Sequence, residues 1–323
     1  GKMPDYLVIQ HMEPDHSASI PAFLKKYPKT TVVSTAKGFQ FMEQFFPEFF
    51  AEQGLPAEQR IVAANDGVLE LGQHSLHFVY APMVHWPEVM MTYEATEKIL
   101  FAADGFGKFG ALDVEEEWAD EARRYYIGIV GKYGPQVQAV LKKAAGLDIQ
   151  TICSLHGPVL KENLGFYLEK YDKWSSYQPE ESGVVIAYAS VYGNTRNAAE
   201  YLADVLQEKG QKTVLYDLAR CDKAKAVADA FRYDRLVLAG ITYNGDLFPC
   251  MRSFIEGLTE RNYQNRKVAI IENGTWAPMA GKLILGMFEK SKNLTFTETT
   301  VSIKSAMNAQ NKGEIGKLAE ELC

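Results

Sequence analysis

Four potential metal ligands stand within six residues near the start of the chain, in His11-Met12-Glu13-Pro14-Asp15-His16. Two imidazoles and two carboxylates so close together are enough for half of a two-metal site. The apolar run Tyr6-Leu7-Val8-Ile9 directly ahead of them reads as a buried strand, which delivers all four at the mouth of a loop leaving a sheet edge. A polar loop of this composition is on its own often only a turn. The remaining histidines weigh against that reading, because the chain has only six, at positions 11, 16, 74, 77, 85 and 156. His85 follows the apolar run Leu76 to Ala81, Asp104 follows Ile99 to Ala103, and His156 follows Ile152 to Leu155. Ligands at successive strand ends converge on one sheet edge. His74 and His77 sit in or just before a strand and read as structural.

Taken together, His11, Glu13, Asp15, His16, His85, Asp104 and His156 are similar, residue by residue, to the ligand set of flavodiiron proteins. These A-type flavoproteins, the rubredoxin:oxygen and nitric oxide oxidoreductases, are built on a metallo-β-lactamase-like domain. Zinc hydrolases of that fold usually show H-x-H-x-D-H, and Glu13 stands where their second His would be. A carboxylate in place of an imidazole makes the site more anionic, favouring iron that cycles between Fe(II) and Fe(III) over zinc, which does not cycle. The resemblance implies that His11, Glu13 and His85 hold one iron, that Asp15, His16 and His156 hold the other, and that Asp104 bridges them. The stretch from His85-Trp86-Pro87-Glu88 to Met91-Thr92-Tyr93 resembles the family's H-W-P-x-x-M-x-T-Y, in which Trp86 and Tyr93 shape the oxygen-side pocket. Relatives carry several strands ahead of the H-x-E-x-D-H loop. The resemblance therefore implies a lactamase-like domain incomplete at its N-terminus, through truncation or processing or with strands supplied by another polypeptide.

The elements that must position these residues fit two domains, for which 323 residues are long enough. Hydrophobic content of 47% and charged content of 23% are ordinary for a soluble globular chain, and a net charge of −7 argues against nucleic acid or an anionic membrane surface as partner. With no apolar run long enough to span a bilayer and no signal-like opening, the expected location is cytoplasmic. Cys153, Cys221, Cys250 and Cys323 form no C-x-x-C pair, so a disulfide framework or a built-in iron–sulfur module is not expected, and electrons must come from a separate protein. In the first domain, Pro21 to Tyr27 reads as a helix start, Thr30 to Val33 as a strand, and Phe39 to Phe50 as an amphipathic helix with Phe41, Phe45, Phe46 and Phe50 as its apolar face. A hairpin is expected from Val68 to Ala81, and helices over Glu115 to Tyr126 and Gln136 to Ala145. Two glycines after Asp104 allow a tight loop that holds the carboxylate inward.

The polar run from Ser175 to Gly183 has the composition of a linker. Beyond it strands and helices alternate from Val184–Tyr188 to a last helix over Gly313 to Leu322, predicting a parallel, doubly wound, five-stranded sheet. The first βα loop, Ser190-Val191-Tyr192-Gly193-Asn194-Thr195, combines hydroxyls, a permissive glycine and a helix N-terminus into a phosphate nest. It resembles the flavodoxin phosphate loop of FMN-binding proteins and lacks the motifs of NAD and ATP sites. Two more strand-end loops, Thr242-Tyr243-Asn244-Gly245-Asp246 and Asn273-Gly274-Thr275-Trp276, offer aromatics suited to stacking on an isoalloxazine ring.

The expected fold is thus a metallo-β-lactamase-like αβ/βα di-iron domain over residues 1–176 and a flavodoxin-like FMN domain over residues 184–323. The resemblance implies an oxidoreductase that reduces O2 to water, NO to N2O, or both, with rubredoxin or a similar donor and a head-to-tail homodimer placing the flavin of one subunit against the iron pair of the other. Two rival readings are a zinc-dependent hydrolase with an appended flavodoxin domain and a flavin-only electron-transfer protein. Glu13 argues against the first.

Overall fold

The computed structural model describes residues 3–323. The chain divides into two compact units, residues 1–175 and 176–323.

The first unit carries two sheets. Tyr6–Val8, Thr31–Ser34 and Arg60–Val62 pair in parallel, while Val68–Glu70, Ser75–Tyr80, Met90–Glu94 and Ile99–Phe101 run antiparallel to one another, with Thr151–Cys153 joining parallel to the last. Val33, Ala63, Leu76, Phe78 and Met90 form one buried cluster drawn from both sheets, so the sheets pack face to face. The other face of the small sheet buries Ile9 and Val32 against Ile20, Leu24, Phe39, Met42 and Phe49 from helices. The helix expected over Phe39 to Phe50 is in fact two, Ala36–Phe45 and Pro47–Glu52, because Pro47 has no N–H to continue the first. The break redirects the aromatic face: Phe39, Met42 and Phe49 are buried, and Phe45 stays 42% exposed. A helix that the sequence pattern left unassigned, Leu164–Ser175, closes an aromatic cluster in which Trp118, Tyr126, Tyr171 and Trp174 pack together.

In the second unit five strands pair in parallel, Glu181–Tyr188, Thr213–Asp217, Tyr233–Tyr243, Arg266–Asn273 and Leu294–Ile303. Numbered within the unit their spatial order is 2-1-3-4-5, the flavodoxin-like doubly wound order with its switch point between the first and third strands. Their central residues, Val184, Ile186, Val237, Ala239, Ala269 and Ile271, are fully buried beneath Ala198, Leu202 and Leu206 of the helix Asn194–Glu208. Asp222 caps the helix Lys223–Arg232 through Ala224 N at 2.8 Å.

The expected linker is largely built into this unit. The first strand starts at Glu181 rather than Val184, and Tyr177 is buried with its carbonyl accepting from Arg266 Nη1 at 2.7 Å. Arg266 itself is 3% exposed, and its guanidinium donates to the carbonyls of Tyr233, Tyr177, Gln264, Asn265 and Phe231. One guanidinium thus satisfies five buried or partly buried acceptors where three segments meet. Arg266→Met should therefore destabilise the second unit by about 3–5 kcal/mol, read as a lowered urea midpoint. A loss below about 1 kcal/mol would show that water serves those carbonyls equally well.

Candidate metal centre and ligand cavity

The hexapeptide loop is set by backbone contacts before any ligand is considered. Met12 is fully buried, its N–H donates to Glu88 Oε1 at 2.9 Å, and its carbonyl accepts from Ser17 Oγ at 2.9 Å. Glu13 stands at the N-cap of a single helical turn, Pro14–Ser17, with Pro14 preorganising its start. Asp104 sits in a tight turn closed by Gly105 N to Ala102 O at 2.9 Å. Phe106 anchors that turn to the aromatic cluster, stacking on Tyr171 at 4.3 Å, while its carbonyl accepts from Trp118 Nε1. Gly107 is required for close approach, because a Cβ there would lie 3.0 Å from Asp104 O and 3.1 Å from His156 O.

All seven expected residues come together, in two groups. The first is His11, Glu13, His85 and Asp104, the second Asp15, His16 and His156, each with one ligand atom per residue within 4.8 Å of the others. In the first group His85 Nε2 lies 2.9 Å from Glu13 Oε2 and 3.1 Å from Asp104 Oδ2, and His11 Nε2 lies 3.4 Å from the same Oδ2. In the second, His16 Nε2 is 3.0 Å from His156 Nε2 and 3.4 Å from Asp15 Oδ2. Asp104 touches both groups, because its other oxygen, Oδ1, lies 3.2 Å from His16 Nε2 and 3.8 Å from His156 Nε2.

Burial alone would raise the Asp104 carboxyl, yet the facing His11 and His85 imidazoles hold it well below the usual carboxylate range. Burial lowers His16 against the opposing Asp104 and Asp15 carboxylates, and the neighbouring His11 and His156 add to the lowering. His85 is raised, since Asp104 and Glu13 outweigh the burial that opposes its charge, so a metal there displaces a proton. The donor set fits a metal pair by its deficits too: both ring nitrogens of His11 and Asp104 Oδ1 are buried without a hydrogen-bond partner. Such orphans cost about 1–3 kcal/mol each unless a cation takes them up.

His74 and His77 join neither group. His74 Nδ1 pairs with Glu94 Oε1 at 3.0 Å, and His77 packs beside Tyr93. Trp86 packs on Phe41 and Phe45. Tyr93 requires a correction: its hydroxyl donates to Asp148 O, ahead of the strand Thr151–Cys153, whereas His156 follows that strand. The aromatic beside the ligands is Tyr125, buried on the helix Trp118–Ile129, 5.5 Å from the His156 ring, its hydroxyl pushed up by burial and by Asp104. No motif marks it; the helix face alone carries it there.

The second unit has a cavity of about 720 Å³ at the C-terminal ends of its strands. Of the expected ligand residues, Ser190, Val191, Tyr192, Asn194, Thr195, Thr242, Tyr243, Asn244, Gly245, Gly274, Thr275 and Trp276 line it. Gly193 shapes the loop from behind, capping the helix Asn194–Glu208 at φ +92°, with its N–H to Ser190 Oγ at 3.2 Å. First-turn N–H groups of that helix have no intrahelical acceptor, which makes the nest a ready anion site. Asp246 stays out of the lining, paired with Arg252 and opening a two-residue strand. Ser305 enters instead, tied to Asn273 by Ser305 N to Oδ1 at 3.0 Å and Asn273 Nδ2 to Ser305 O at 2.9 Å. It follows the fifth strand, so strand-end logic extended by one strand would have found it. The rim is aromatic and exposed, Tyr192 at 92%, Trp276 at 90% and Tyr243 at 54%.

Residues 2–157 match the family described as ODP family beta lactamase, and residues 185–293 match a flavodoxin domain. The chain belongs to the flavodiiron proteins. Diflavin flavoprotein A 1 of Synechocystis sp. is 34% identical over 226 residues, 68% of this chain and 38% of that protein. A nitric oxide reductase of Moorella thermoacetica is 27% identical over 289 residues, covering 87% of this chain and 70% of its own length. The family architecture extends to a rubredoxin oxygen:oxidoreductase from Desulfovibrio gigas, with a TM-score of 0.88 at 23% identity, over 98% of this chain and 80% of that one. This flavodiiron chain spans 38% to 63% of the length of three curated relatives it matches. No helix among its described residues is long and apolar enough to cross a membrane.

Proposed function

We propose that this chain is an oxidoreductase reducing O2 to water, NO to N2O, or both, at a non-haem di-iron site served by FMN. The observation that carries the reading is Asp104, whose two oxygens address two separate His-carboxylate groups on a chain that also holds a flavodoxin-type cavity. His11, Glu13 and His85 would hold one iron and Asp15, His16 and His156 the other, with Asp104 placed to serve both. When bound, two ferrous ions and a reduced flavin supply four electrons, enough with four protons to take O2 to two waters, while two NO need two electrons and two protons to give N2O and one water.

The chain's own residues bind, orient and enclose. Three carboxylates offset three of the four charges of two divalent cations, and the buried ring of Tyr125 walls the site beside His156. In the second unit the loop from Ser190 to Thr195 would receive the FMN phosphate, and Tyr243 and Trp276 would flank the ring. Thr242 orients the far side, its Oγ1 accepting from Met279 N at 2.8 Å at the head of the helix Ala280–Met287. An external donor such as rubredoxin would supply the electrons. The reading is tested by metal and flavin analysis of the purified protein, then by anaerobic mixing of the reduced protein with each gas. Zinc without iron, or iron with no gas consumption, overturns it.

Electron transfer requires the two cofactors close together, and a head-to-tail homodimer provides this by facing one subunit's flavin to its partner's iron pair. The exposed aromatic rim of the cavity supports such a contact, as do Leu112 at 71% and Leu155 at 45% exposure, in the loops that follow Asp104 and precede His156. Mixing an iron-deficient His156→Ala protein with an FMN-deficient Thr195→Asp protein should restore up to about a quarter of wild-type activity, since a random heterodimer keeps one intact pair of sites. Demonstrated subunit exchange with no recovery rejects the arrangement.

A further inference from the structure

The two metal positions are unequally supported. In the first group the side chains of His11, Asp104 and His85 are 1%, 3% and 10% exposed and Glu13 31%, whereas in the second His16, His156 and Asp15 stand at 19%, 32% and 49%. The loop that carries His11 and Glu13, together with Asp15 and His16, is pinned through Met12 N to the buried Glu88. What holds His156 is a loop. Its carbonyl accepts from Lys108 N at 3.1 Å, its own N–H donates to Ser154 Oγ at 3.2 Å, and the next residue, Gly157, lies at φ +113° against the Lys108 stem.

Lys108 is in turn fixed by an ion pair. Its side chain is 6% exposed, Nζ pairs with the Glu116 carboxylate and donates to Phe109 O at 3.1 Å, and the loop 108–116 is thereby closed at its neck. Gly110, at φ +95°, is the residue that leaves room, because a Cβ there would overlap Glu116 Oε1. The Asp104 turn has a separate anchor in Phe106, Tyr171 and Trp118. Loosening the neck therefore frees His156 without freeing Asp104.

We infer that the Lys108–Glu116 pair is a positioning device for the exposed metal position alone, setting its affinity through His156 while the buried position is independent of it. This rests on the di-iron reading. The Lys108 ammonium left unpaired at 6% exposure is costly, and without Lys108 the 30% exposed Glu116 loses the cation that holds it, so either partner's removal opens the neck, and losses of ligand support typically weaken a metal by 10–100-fold.

The experiment is anaerobic titration of chelator-stripped, FMN-loaded protein with Co(II), whose visible absorption reports each occupied position. Wild type should take up two Co(II) per chain. Lys108→Met and Glu116→Gln should keep one position at wild-type affinity and weaken the other about 10–100-fold. Lys108→Arg should return the second position to near wild type. Gly110→Ala, which crowds the neck while keeping both charges, should act in the same direction and serves if either charge variant fails to fold, as judged by FMN content and thermal unfolding. Equal weakening of both positions, or no weakening in any variant, overturns the inference. A wild-type protein that takes up no metal overturns the di-iron reading instead.

Discussion

Asp104→Ala should yield a yellow protein that has lost its iron. Each oxygen of Asp104 faces a different ligand group, Oδ2 toward His11 and His85 and Oδ1 toward His16 and His156, so one substitution removes an anionic donor from both positions at once. What remains is four imidazole Nε2 atoms with Glu13 and Asp15, the more exposed carboxylates. Changes that only loosen a ligand's support cost 10–100-fold in affinity, so loss of a shared ligand should cost each position more than about 100-fold. Iron should fall from two per chain to below about a tenth of that, and gas consumption by at least about 1,000-fold. Flavin content should be unchanged, because the cavity belongs to the other unit. Metal analysis beside the flavin absorbance reads both in one sample. Iron staying near two per chain would remove Asp104 from the bridge.

Thr195→Asp should give the converse, an iron-loaded protein without colour. Thr195 is 2% exposed and is the second residue of the helix Asn194–Glu208, inside the cavity lining. The helix N-terminus offsets part of the cost of burying a carboxylate there, and thermal unfolding of the empty protein checks that the fold survives. A phosphate entering the nest would meet that charge within a few ångströms, where repulsion of about 4 kcal/mol applies at a partly buried site. FMN affinity should drop about 1,000-fold. Fluorescence titration measures it, with Thr195→Ser expected within a few-fold of wild type. If Thr195→Asp binds FMN within about ten-fold of wild type, the phosphate lies elsewhere.

The seven ligand candidates were legible in the sequence because each lies next to a strand-like apolar run, and strand ends gather at sheet edges whatever the rest of the fold does. The same regularity made the nucleotide cavity legible. Alternating strands and helices impose a parallel sheet, and a parallel sheet brings the loops at Ser190, Thr242 and Gly274 to one rim. These inferences use patterns that repeat within a few residues, and a local pattern is set by the chain's own geometry.

Tertiary structure decided everything that depends on which face meets which. Tyr93 and Tyr125 are both buried tyrosines, yet one bonds to Asp148 O and the other lies against His156, a difference set by strand register and helix rotation rather than by any motif. Asp246 stands outside the cavity lining, paired with Arg252 six residues on, and Ser305 stands inside it, tied by its bonds to Asn273. The split of Asp104 between two ligand groups, and the bond from Lys108 N to His156 O, join residues tens of positions apart. Such contacts are chosen by the collective packing of a dense interior, where moving one side chain displaces several others, so no stretch of sequence read alone contains them.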